Sequence, residues 1–531
     1  MNTNSRCTKT FILTMLACAA CNMAWAQQAN KQYLQEAYPA SWVAMEVGEK
    51  PDSTNVWIRN GHTITLDGNE TFKGIMIEQG AALNSDADAR AESRYQLRSV
   101  GSGLGILNNG TFGSTTGTKD GIDLLITPST KVFTILGTGK TTIASIRPEK
   151  ANNGLTLNIS QDISLNGNNV TFSAIPVIGN TSLTDNITFN IEAGKTVKII
   201  SPNGELNGIT GTGPGGRYTY NVNGTLDVSA TNTVQNLAPF KTTPASVLTF
   251  NIKGTLKFGS SLNIGSPGDF ETGKLALNVL NGGVADAIAT NTLTFGYNYF
   301  STNGTGVLKR RVNNTDVIFP VGLGTIGPIA LKSTAAFVDI AVSVKNEFDV
   351  PLPNTFKVVY KQWTISPANG NPIAVSLVMR PVWSIHDVGS YFDSSLPISL
   401  LWREPGQTTW NDKAATLTGK GTLTSPFIAF ATGITNFGIF AIQNSSTNLN
   451  TNSVVTLYPN PTARTVNVIF PETTTDGTLS ITSYKGGQML KTNVRKGSTS
   501  WTYDVAAWEN GIYFLHMETG DKVTALKFIK Q

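Results

Sequence analysis

The sequence has little cysteine and little histidine. Its 531 residues include three cysteines, all within the first 21 positions, and three histidines, His62, His386 and His516. Loss of the amino end would leave no thiol, which excludes disulfides, thiolate metal sites and cysteine nucleophiles. Histidines so far apart leave zinc hydrolysis and Ser/His/Asp catalysis without their residues, and no glycine-rich phosphate loop follows a strand.

Charge is also scarce. Charged residues make up 14% of the chain, with 40 basic against 35 acidic residues. No run of Lys and Arg could follow a phosphate backbone, so nucleic-acid binding is not predicted. The 51 glycines, together with abundant Asn, Thr and Ser, are typical of secreted β-rich proteins. A chain of this length exceeds a single hydrophobic core, so several domains are expected.

The amino end has the pattern of a signal peptide. Arg6 and Lys9 precede the apolar run Phe11–Ala20, and the small-residue site Ala24–Ala26 follows. We therefore predict a signal peptide at residues 1–26 rather than a membrane span. The residues before Cys18 loosely resemble a lipoprotein box, so lipid attachment there is the alternative. Residues 27–55 are interpreted as an amino-terminal cap that contains a short helix or an edge strand.

A strand–glycine–strand unit recurs in the first half of the chain. Each copy has an asparagine in its first strand, a glycine at the turn and a second apolar strand. The turn glycines of four consecutive copies are Gly194, Gly224, Gly254 and Gly282, which lie 30, 30 and 28 residues apart. Gly80 and Gly110 head similar units, whereas the copies between Gly110 and Gly194 drift in spacing.

A period of about 20 to 30 residues built from short strands is typical of a right-handed parallel β-helix. One coil cannot bury its own apolar face, but stacked coils bury a continuous column. We predict that Val222, Leu226 and Val228 point inward in one coil, with Ile252, Leu256 and Phe258 in the next. Stacked Asn side chains would hydrogen-bond along the axis. The alternative is a series of antiparallel meanders or sandwiches, but the even spacing without strong hairpin signals favours a solenoid over residues 56–300.

Two regions depart from the repeat. Asn84–Ser99 is rich in Ala, Arg and acids, which predicts a short charged helix, capped by Ser85, or a long loop. Residues 301–443 lose the period and gain aromatics, which indicates one or two β-sandwich modules. The predicted core anchors of these modules are Trp363, Trp383, Trp402 and Trp410. Residues 444–453 are nearly all polar and read as a flexible linker.

The last 78 residues, 454–531, read as a separate small domain. Leu457–Thr462 forms a Pro-Asn-Pro turn, and six or seven short strands with polar turns follow it, a pattern typical of a small Ig-like antiparallel sandwich. The whole chain is therefore predicted to be all-β: a parallel β-helix, then β-sandwich modules, then this terminal sandwich.

Three segments of this domain resemble the C-terminal sorting domain of type IX secretion cargo. They are the opening Tyr458-Pro459-Asn460-Pro461, the segment from Asp504 to Gly511 and Tyr513, and the basic finish Lys527–Lys530. The Phe319–Gly322 segment with Trp363 also resembles a module that often precedes such domains.

The resemblance has implications for export and for partners. It implies passage through the type IX translocon of the outer membrane. A sortase-like peptidase would then remove the domain, with release of the chain or its attachment to surface lipopolysaccharide. The implied location is the cell surface or the extracellular space, and the implied signal residues are Tyr458, Pro459, Asn460, Pro461, Gly511, Tyr513, Lys527 and Lys530.

Carboxylates are the remaining route to catalysis. Lyases and glycosidases with a β-helix fold use clusters of Asp and Glu on one outer face, in some cases with calcium. The weak candidates here are Asp86 with Asp88 and Asp120 with Asp123, although short acidic loops are usually only solvated. The sequence gives no support to calcium or to another cofactor.

A glycan-binding face needs fewer specific residues than a catalytic site. Ladders of Asn and Thr with nearby aromatics could hold an extracellular glycan. The candidate aromatics are Tyr218, Tyr220, Tyr297, Tyr299 and Phe300, which could equally be buried. We therefore predict an exported adhesion or polysaccharide-binding protein. A polysaccharide lyase or glycosidase acting from the solenoid is the first alternative, and a structural spacer is the second.

Overall fold

The structure of the chain is a computed structural model. It describes residues 33–34, 43–44, 55–445 and 455–531, except for 88–93, 101–104, 114–120, 128–130, 149–153, 168–185, 204–205, 207–216, 233, 238–246, 266–274, 303–304, 335–336, 354–356, 371–375, 390, 423, 471, 474, 485 and 520–521. The signal peptide and most of the expected cap lie outside these residues. The described part of the chain contains no helix with the length and hydropathy of a membrane span.

The chain divides into two compact units. One holds residues 1–353, 359–388 and 397–443, and the other holds 354–358, 389–396 and 444–531.

The first unit begins with short strands. At the amino end β1 (Tyr33–Leu34) pairs antiparallel with β2 (Val43–Ala44). The strands of the repeat region are β3 (Asn55–Ile58), β4 (Thr63–Leu66), β5 (Glu70–Phe72), β6 (Gly74–Ile77), β7 (Ala82–Ser85), β8 (Tyr95–Ser99), β9 (Gly105–Asn108), β10 (Thr111–Gly113), β11 (Ile122–Ile126), β12 (Val132–Leu136), β13 (Lys140–Ile143), β14 (Ser145–Pro148), β15 (Leu155–Ser160), β16 (Ile163–Leu165), β17 (Asn186–Ile191), β18 (Thr196–Ile199), β19 (Arg217–Val222), β20 (Thr225–Asp227), β21 (Val234–Asn236), β22 (Val247–Ile252), β23 (Thr255–Lys257), β24 (Ser261–Gly265), β25 (Leu275–Val279), β26 (Val284–Ala287), β27 (Thr292–Phe295), β28 (Phe300–Thr302) and β29 (Val307–Val312).

These strands stack in parallel along separate faces. The first sheet takes β3, β6, β9, β12, β15, β17, β19, β22, β25 and β28 in that order, and the second takes β4, β7, β10, β13, β16, β18, β20, β23, β26 and β29. The third face is built from β5, β8, β11 and β14 and, further along, from β21, β24 and β27. Successive strands of the chain therefore move from face to face and return one coil higher. This confirms the predicted parallel β-helix.

Alternation of side chains explains the core. In β19 the residues Tyr218, Tyr220 and Val222 are buried, while Thr219 and Asn221 between them are half-buried on the outer side. The six inward positions predicted from the repeat are all buried, with exposures of 0% or 1%. Aromatic rings stack between coils, with Phe189 and Tyr220 centred 5.2 Å apart, and Tyr220 and Phe250 4.7 Å apart. The dry column is thus continuous across these coils.

The predicted asparagine ladder forms along the outer side of the first sheet. Each Nδ2 donates to the Oδ1 of the preceding coil: Asn190 to Asn158 at 2.8 Å, Asn221 to Asn190 at 2.8 Å, Asn251 to Asn221 at 2.9 Å and Asn278 to Asn251 at 3.0 Å. Asn158 extends the ladder beyond the four copies recognised from the glycine spacing. The parallel register places the same amide above itself in every coil, so each one satisfies the next.

Removing one rung should measure the value of this ladder. We expect Asn221→Ala to lower the free energy of unfolding by about 1–2 kcal/mol, because it removes one donated and one accepted hydrogen bond. Urea denaturation measures the change. The control is Asn223→Ala, an exposed turn residue two positions along, which should leave the stability nearly unchanged. Equal effects of the two substitutions would mean that the ladder adds no stability.

The turn glycines are required for two different reasons. Gly194 and Gly282 have positive φ, at 75° and 77°. At Gly254 the backbone is ordinary, but a Cβ would collide with the carbonyl oxygen of Gly224 in the neighbouring coil. The left-handed conformation is therefore present at some copies, and close approach of the coils requires glycine at others.

The segment Asn84–Ser99, predicted as a short helix or a long loop, begins and ends in β-strands. Ser85 and Ser99 end the strands β7 and β8, and residues 88–93 between them lie outside the described part. Ser85 caps no helix among the described residues. Its Oγ accepts a hydrogen bond from the Ala87 backbone N–H at 3.0 Å.

After β29 the pairing becomes antiparallel, except that the strand Val321–Leu323 still pairs in parallel with β28. These strands are β30 (Val317–Phe319), β31 (Val321–Leu323), β32 (Thr325–Ile326), β33 (Ile329–Ser333), β34 (Val338–Lys345), β35 (Val358–Pro367), β36 (Leu377–Trp383), β37 (Ile398–Arg403), β38 (Asn411–Thr418), β39 (Phe427–Ile434) and β40 (Gly438–Asn444). Strand β29 pairs in parallel with β26 and antiparallel with β34, and β34 continues to β35. A second sheet runs β30, β33, β36 and β39. Asn444, the first residue of the expected linker, is the last residue of β40, and 446–454 lie outside the described residues.

Two of the four predicted tryptophan anchors are in the core of this region. Trp363 and Trp383 are 0% and 1% exposed. Trp402 and Trp410 are only half-buried, and the prediction was wrong for them. Trp410 instead donates to the Pro351 carbonyl at 3.1 Å and lies under the Arg403 guanidinium.

A buried ionic network lies beside Trp363. The Lys361 side chain has no exposure, and its Nζ lies 3.2 Å from Asp387 Oδ1. The ammonium also donates to Thr325 Oγ1 at 2.7 Å and to Asn346 Oδ1 at 3.2 Å. The other Asp387 oxygen accepts from the Ser384 backbone N–H and hydroxyl, both at 2.9 Å. Burial lowers the pKa of Lys361, and Asp387 opposes that shift.

The second unit contains the predicted terminal sandwich. Its strands are β41 (Thr456–Tyr458), β42 (Thr465–Ile469), β43 (Gly477–Ser483), β44 (Gln488–Val494), β45 (Ser500–Asp504), β46 (Gly511–Thr519) and β47 (Lys522–Lys530). One sheet has the order β41-β42-β45 and the other β44-β43-β46-β47, with every pairing antiparallel. Val466, Val468, Leu479, Ile481 and Leu515 are fully buried in its core.

Candidate functional site

The three segments that resemble a sorting signal meet in the terminal sandwich. Asn460 Nδ2 donates to the Lys527 carbonyl at 2.9 Å, and its Oδ1 accepts from the Ile529 N–H at 2.9 Å. Next to it, Thr462 exchanges backbone hydrogen bonds of 2.8 Å with Ile529 and Gln531. The peptide bonds before Pro459 and Pro461 are both cis. The opening turn is thereby fixed to the final strand, 67 to 69 residues later.

The middle segment, from Asp504 to Tyr513, contacts the final strand through the side chain of Tyr513. Its ring is 4% exposed and stacks on Phe528 at 5.4 Å, while its hydroxyl donates to the Glu509 carbonyl at 2.8 Å. Burial raises the pKa of Tyr513, so the hydroxyl remains a donor at neutral pH. Lys530 Nζ lies 3.3 Å from Asn510 Oδ1. The ring and the ammonium therefore join this segment to the final strand.

Exposure separates the predicted signal residues into two groups. Tyr513 and Lys530 are buried, whereas Lys527 and Pro461 are exposed. Tyr458, Pro459, Asn460 and Gly511 are half-buried, and burial raises the pKa of Tyr458. The structure brings all eight residues into one small domain. Their individual roles in export stay predictions.

A separate cavity lies where the solenoid meets the antiparallel strands. Its volume is about 420 Å³, within the range of small-molecule sites. It is lined by Ile288, Thr290, Asn291, Thr292, Leu293, Arg310, Arg311, Asn313, Thr315, Asp316, Val317, Ile318 and Phe337. Phe337 is 71% exposed, the highest fraction among the exposed large apolar residues of the described chain. The cavity thus combines an open aromatic ring with hydroxyl, amide and guanidinium groups.

Arg310 is the buried cation of this cavity. It is 6% exposed and occupies a position of β29 that alternates inward between Leu308 and Val312. One terminal nitrogen donates to the Ile318 carbonyl at 2.5 Å, and the other lies 3.4 Å from the Thr290 carbonyl. Desolvation lowers the pKa of Arg310 to about 10, still well above neutral pH.

The candidate catalytic carboxylates do not form a described pair. Asp88 and Asp120 lie outside the described residues, and Asp86 is exposed just after β7. Asp123 is 3% exposed in β11, lies 3.2 Å from Arg94 Nε and accepts from the Ser145 hydroxyl at 2.5 Å. The Asp123 carboxylate is therefore part of a buried ion pair. In the described part of the chain, no three His, Cys, Asp or Glu side chains lie close enough together to hold a metal ion.

The aromatics proposed for a glycan face are mostly internal. Tyr218, Tyr220 and Phe300 are at most 1% exposed. Tyr297 and Tyr299 are half-buried, and burial raises the pKa of Tyr299. Only the last two could reach a ligand at their edges, so the predicted aromatic face does not form.

Sequence reasoning missed the cavity, although one signal for it was present. The run Val307–Val312 alternates, and this alternation places Arg310 among the inward residues. A charged residue at an inward position is expensive unless it is paired or functional. Phe337 gave no such signal, because its exposure depends on the fold around β34.

Comparison with known proteins agrees with the geometry of the terminal domain. Residues 456–531 match the family described as the secretion system C-terminal sorting domain. No curated protein and no solved structure matches the chain. The family match spans strands β41 to β47, in which the opening, middle and final segments meet. The chain is therefore cargo of the type IX secretion system, exported across the outer membrane to the cell surface or the extracellular space.

Proposed function

We propose that the exported chain is an adhesion protein that binds extracellular polysaccharide in the cavity between β29, β30 and Phe337. The observation that carries this is the exposed Phe337 ring above a polar, concave lining. Sugar rings have an apolar face, which an aromatic ring covers, and hydroxyl edges, which amides and hydroxyls bind. Asn291, Thr292 and Thr315 supply such groups here.

The carboxylates favour binding over cleavage. Glycoside hydrolysis needs two carboxyl groups on opposite sides of the bond. Asp316 is the only acid among the described residues that line the cavity, and it forms an ion pair with Arg380. A lyase or glycosidase would thus need carboxylates beyond this lining.

In this proposal both ends of the chain are removed by proteolysis during export. The signal peptide at 1–26 and the sorting domain at 454–531 are both removed, the latter by a sortase-like peptidase that cuts within 444–453. The translocon and surface lipopolysaccharide are the proposed partners of this step. The mature chain then consists of the cap, the solenoid at 56–300 and the sandwich region at 301–443.

The purified secreted chain should bind polysaccharides on a glycan array without degrading them. Phe337→Ala should weaken that binding by about tenfold, which corresponds to the loss of roughly 1.4 kcal/mol of ring contact. The control is Val132→Ala, which removes an apolar side chain of β12 that is 52% exposed and does not line the cavity. Unchanged binding by the Phe337 variant would exclude this cavity. Depolymerisation would support the enzymatic alternative, and an array without any binding would support a spacer.

A further inference from the structure

Arg310 differs from the other charged residues of the cavity in having no counter-ion among the residues that the structure describes. Arg311 donates to both oxygens of Asp339, at 2.7 and 3.0 Å, and Asp316 is paired with Arg380. Among the described residues, Arg310 contacts only the carbonyls of Ile318 and Thr290. Its Nε is buried without a hydrogen-bond partner in the described part of the chain. One full positive charge therefore lies beside the cavity, and no carboxylate of the described ranges compensates it.

An uncompensated buried cation is costly, and such charges are normally paired or bind a ligand. The two backbone carbonyls fix the orientation of the guanidinium but carry no net charge. A guanidinium held in this way matches a carboxylate, because its planar fork can donate two parallel hydrogen bonds to the two oxygens. The cavity is large enough for one sugar ring carrying such a group.

We infer that the ligand of this cavity carries a carboxylate, as a uronic-acid polysaccharide does, and that Arg310 pairs with it. This inference rests on the proposed function and adds the chemical class of the polymer. In this arrangement Phe337 covers the sugar ring while Arg310 compensates its acid. The same cavity should therefore discriminate strongly between an acidic polymer and its neutral counterpart.

The test compares two polymers with one backbone. Polygalacturonate and its carboxyl-reduced derivative differ only in the acid, so binding of the secreted chain to each isolates the carboxylate. We expect polygalacturonate to bind at least about tenfold more tightly at physiological salt. Equal binding of the two polymers would overturn the acidic-ligand inference and leave the proposed function intact. Binding of neither polymer would also overturn the acidic-ligand inference, whereas a glycan array without any binding would overturn the proposed function itself.

Variants and a third polymer identify the source of the preference. Arg310→Lys keeps the charge but loses the fork, so the preference for polygalacturonate should fall several-fold. The matched control Arg403→Lys changes a buried arginine outside the cavity lining, which lies 3.6 Å from Asp349 Oδ2, and should keep the full preference. Dextran sulfate tests general attraction to polyanions. If dextran sulfate bound as tightly as polygalacturonate, or if Arg403→Lys alone removed the preference, the assignment to Arg310 and a carboxylate would be wrong.

Discussion

A chain that ends at residue 453 is expected to accumulate in the periplasm and to be missing from the cell surface. The truncation removes the whole region that matches the sorting family, including all three segments that meet in the terminal sandwich. Cell fractionation with surface proteolysis measures the outcome. Surface display of the truncated chain would contradict the export route.

A point substitution tests the same signal without deletion. Asn460 connects the opening turn to the carbonyl of Lys527 and the N–H of Ile529. Replacing it with alanine removes both hydrogen bonds, at a cost of about 2 kcal/mol to the folded domain. Asn460→Ala should therefore lower the exported fraction. The control is Met489→Ala, which removes a 41% exposed side chain from β44 of the same domain, and its export should be unchanged.

Replacing Lys361 with methionine is expected to destabilise the first unit by about 3–5 kcal/mol, because it leaves the Asp387 carboxylate buried without its cation. Lys361 is completely buried, and Asp387 is 6% exposed in the side chain. Urea denaturation measures the loss. The control is Lys345→Met, whose ion pair with Asp349 lies at the surface and should contribute less than about 1 kcal/mol. If both variants lost the same stability, burial of the pair would have no effect.

The pKa of Lys361 adds a dependence on pH. Burial lowers it below its ordinary value of 10.5. Between the folded and the unfolded pKa, the unfolded chain holds more protons, so the free energy of unfolding rises with pH in that window. The gain is complete above the unfolded pKa and is lost as the pH falls through the folded one. Lys361→Met should lack this contribution, which the difference between the stability profiles of the two proteins would show.

Local patterns predicted the solenoid well because each coil repeats the same physical constraint. Alternation identified the inward residues, and the shared spacing of Asn190, Asn221 and Asn251 identified the ladder. The terminal domain could also be predicted from the sequence, because its turns and strands follow one another at short range. In both cases the deciding contacts join residues whose spacing is visible in the sequence.

The other features of the structure depend on contacts that the spacing of residues in the sequence does not show. Trp402 and Trp410 lie in the same aromatic-rich region as Trp363. Which face of a strand is buried, however, depends on the tertiary fold. Tyr218 and Tyr220 could have faced solvent or core, and the register of β19 placed them inside. Asp123 forms an ion pair with Arg94 of a neighbouring coil, and Phe337, directly before β34, lines the cavity. Pairings of this kind belong to the tertiary structure.

The asparagine ladder also bears on how such a chain can change in length. Each coil offers the next coil the same kind of strand edge that it meets in the coil below, so the 30 residues from Gly224 to Lys253 form an interchangeable segment. Duplicating or deleting that segment would lengthen or shorten the stack by about 4.8 Å while keeping the parallel register and the asparagine ladder at the seam. Recombination within a gene could therefore adjust the span of the stack in fixed steps, without redesign of either end.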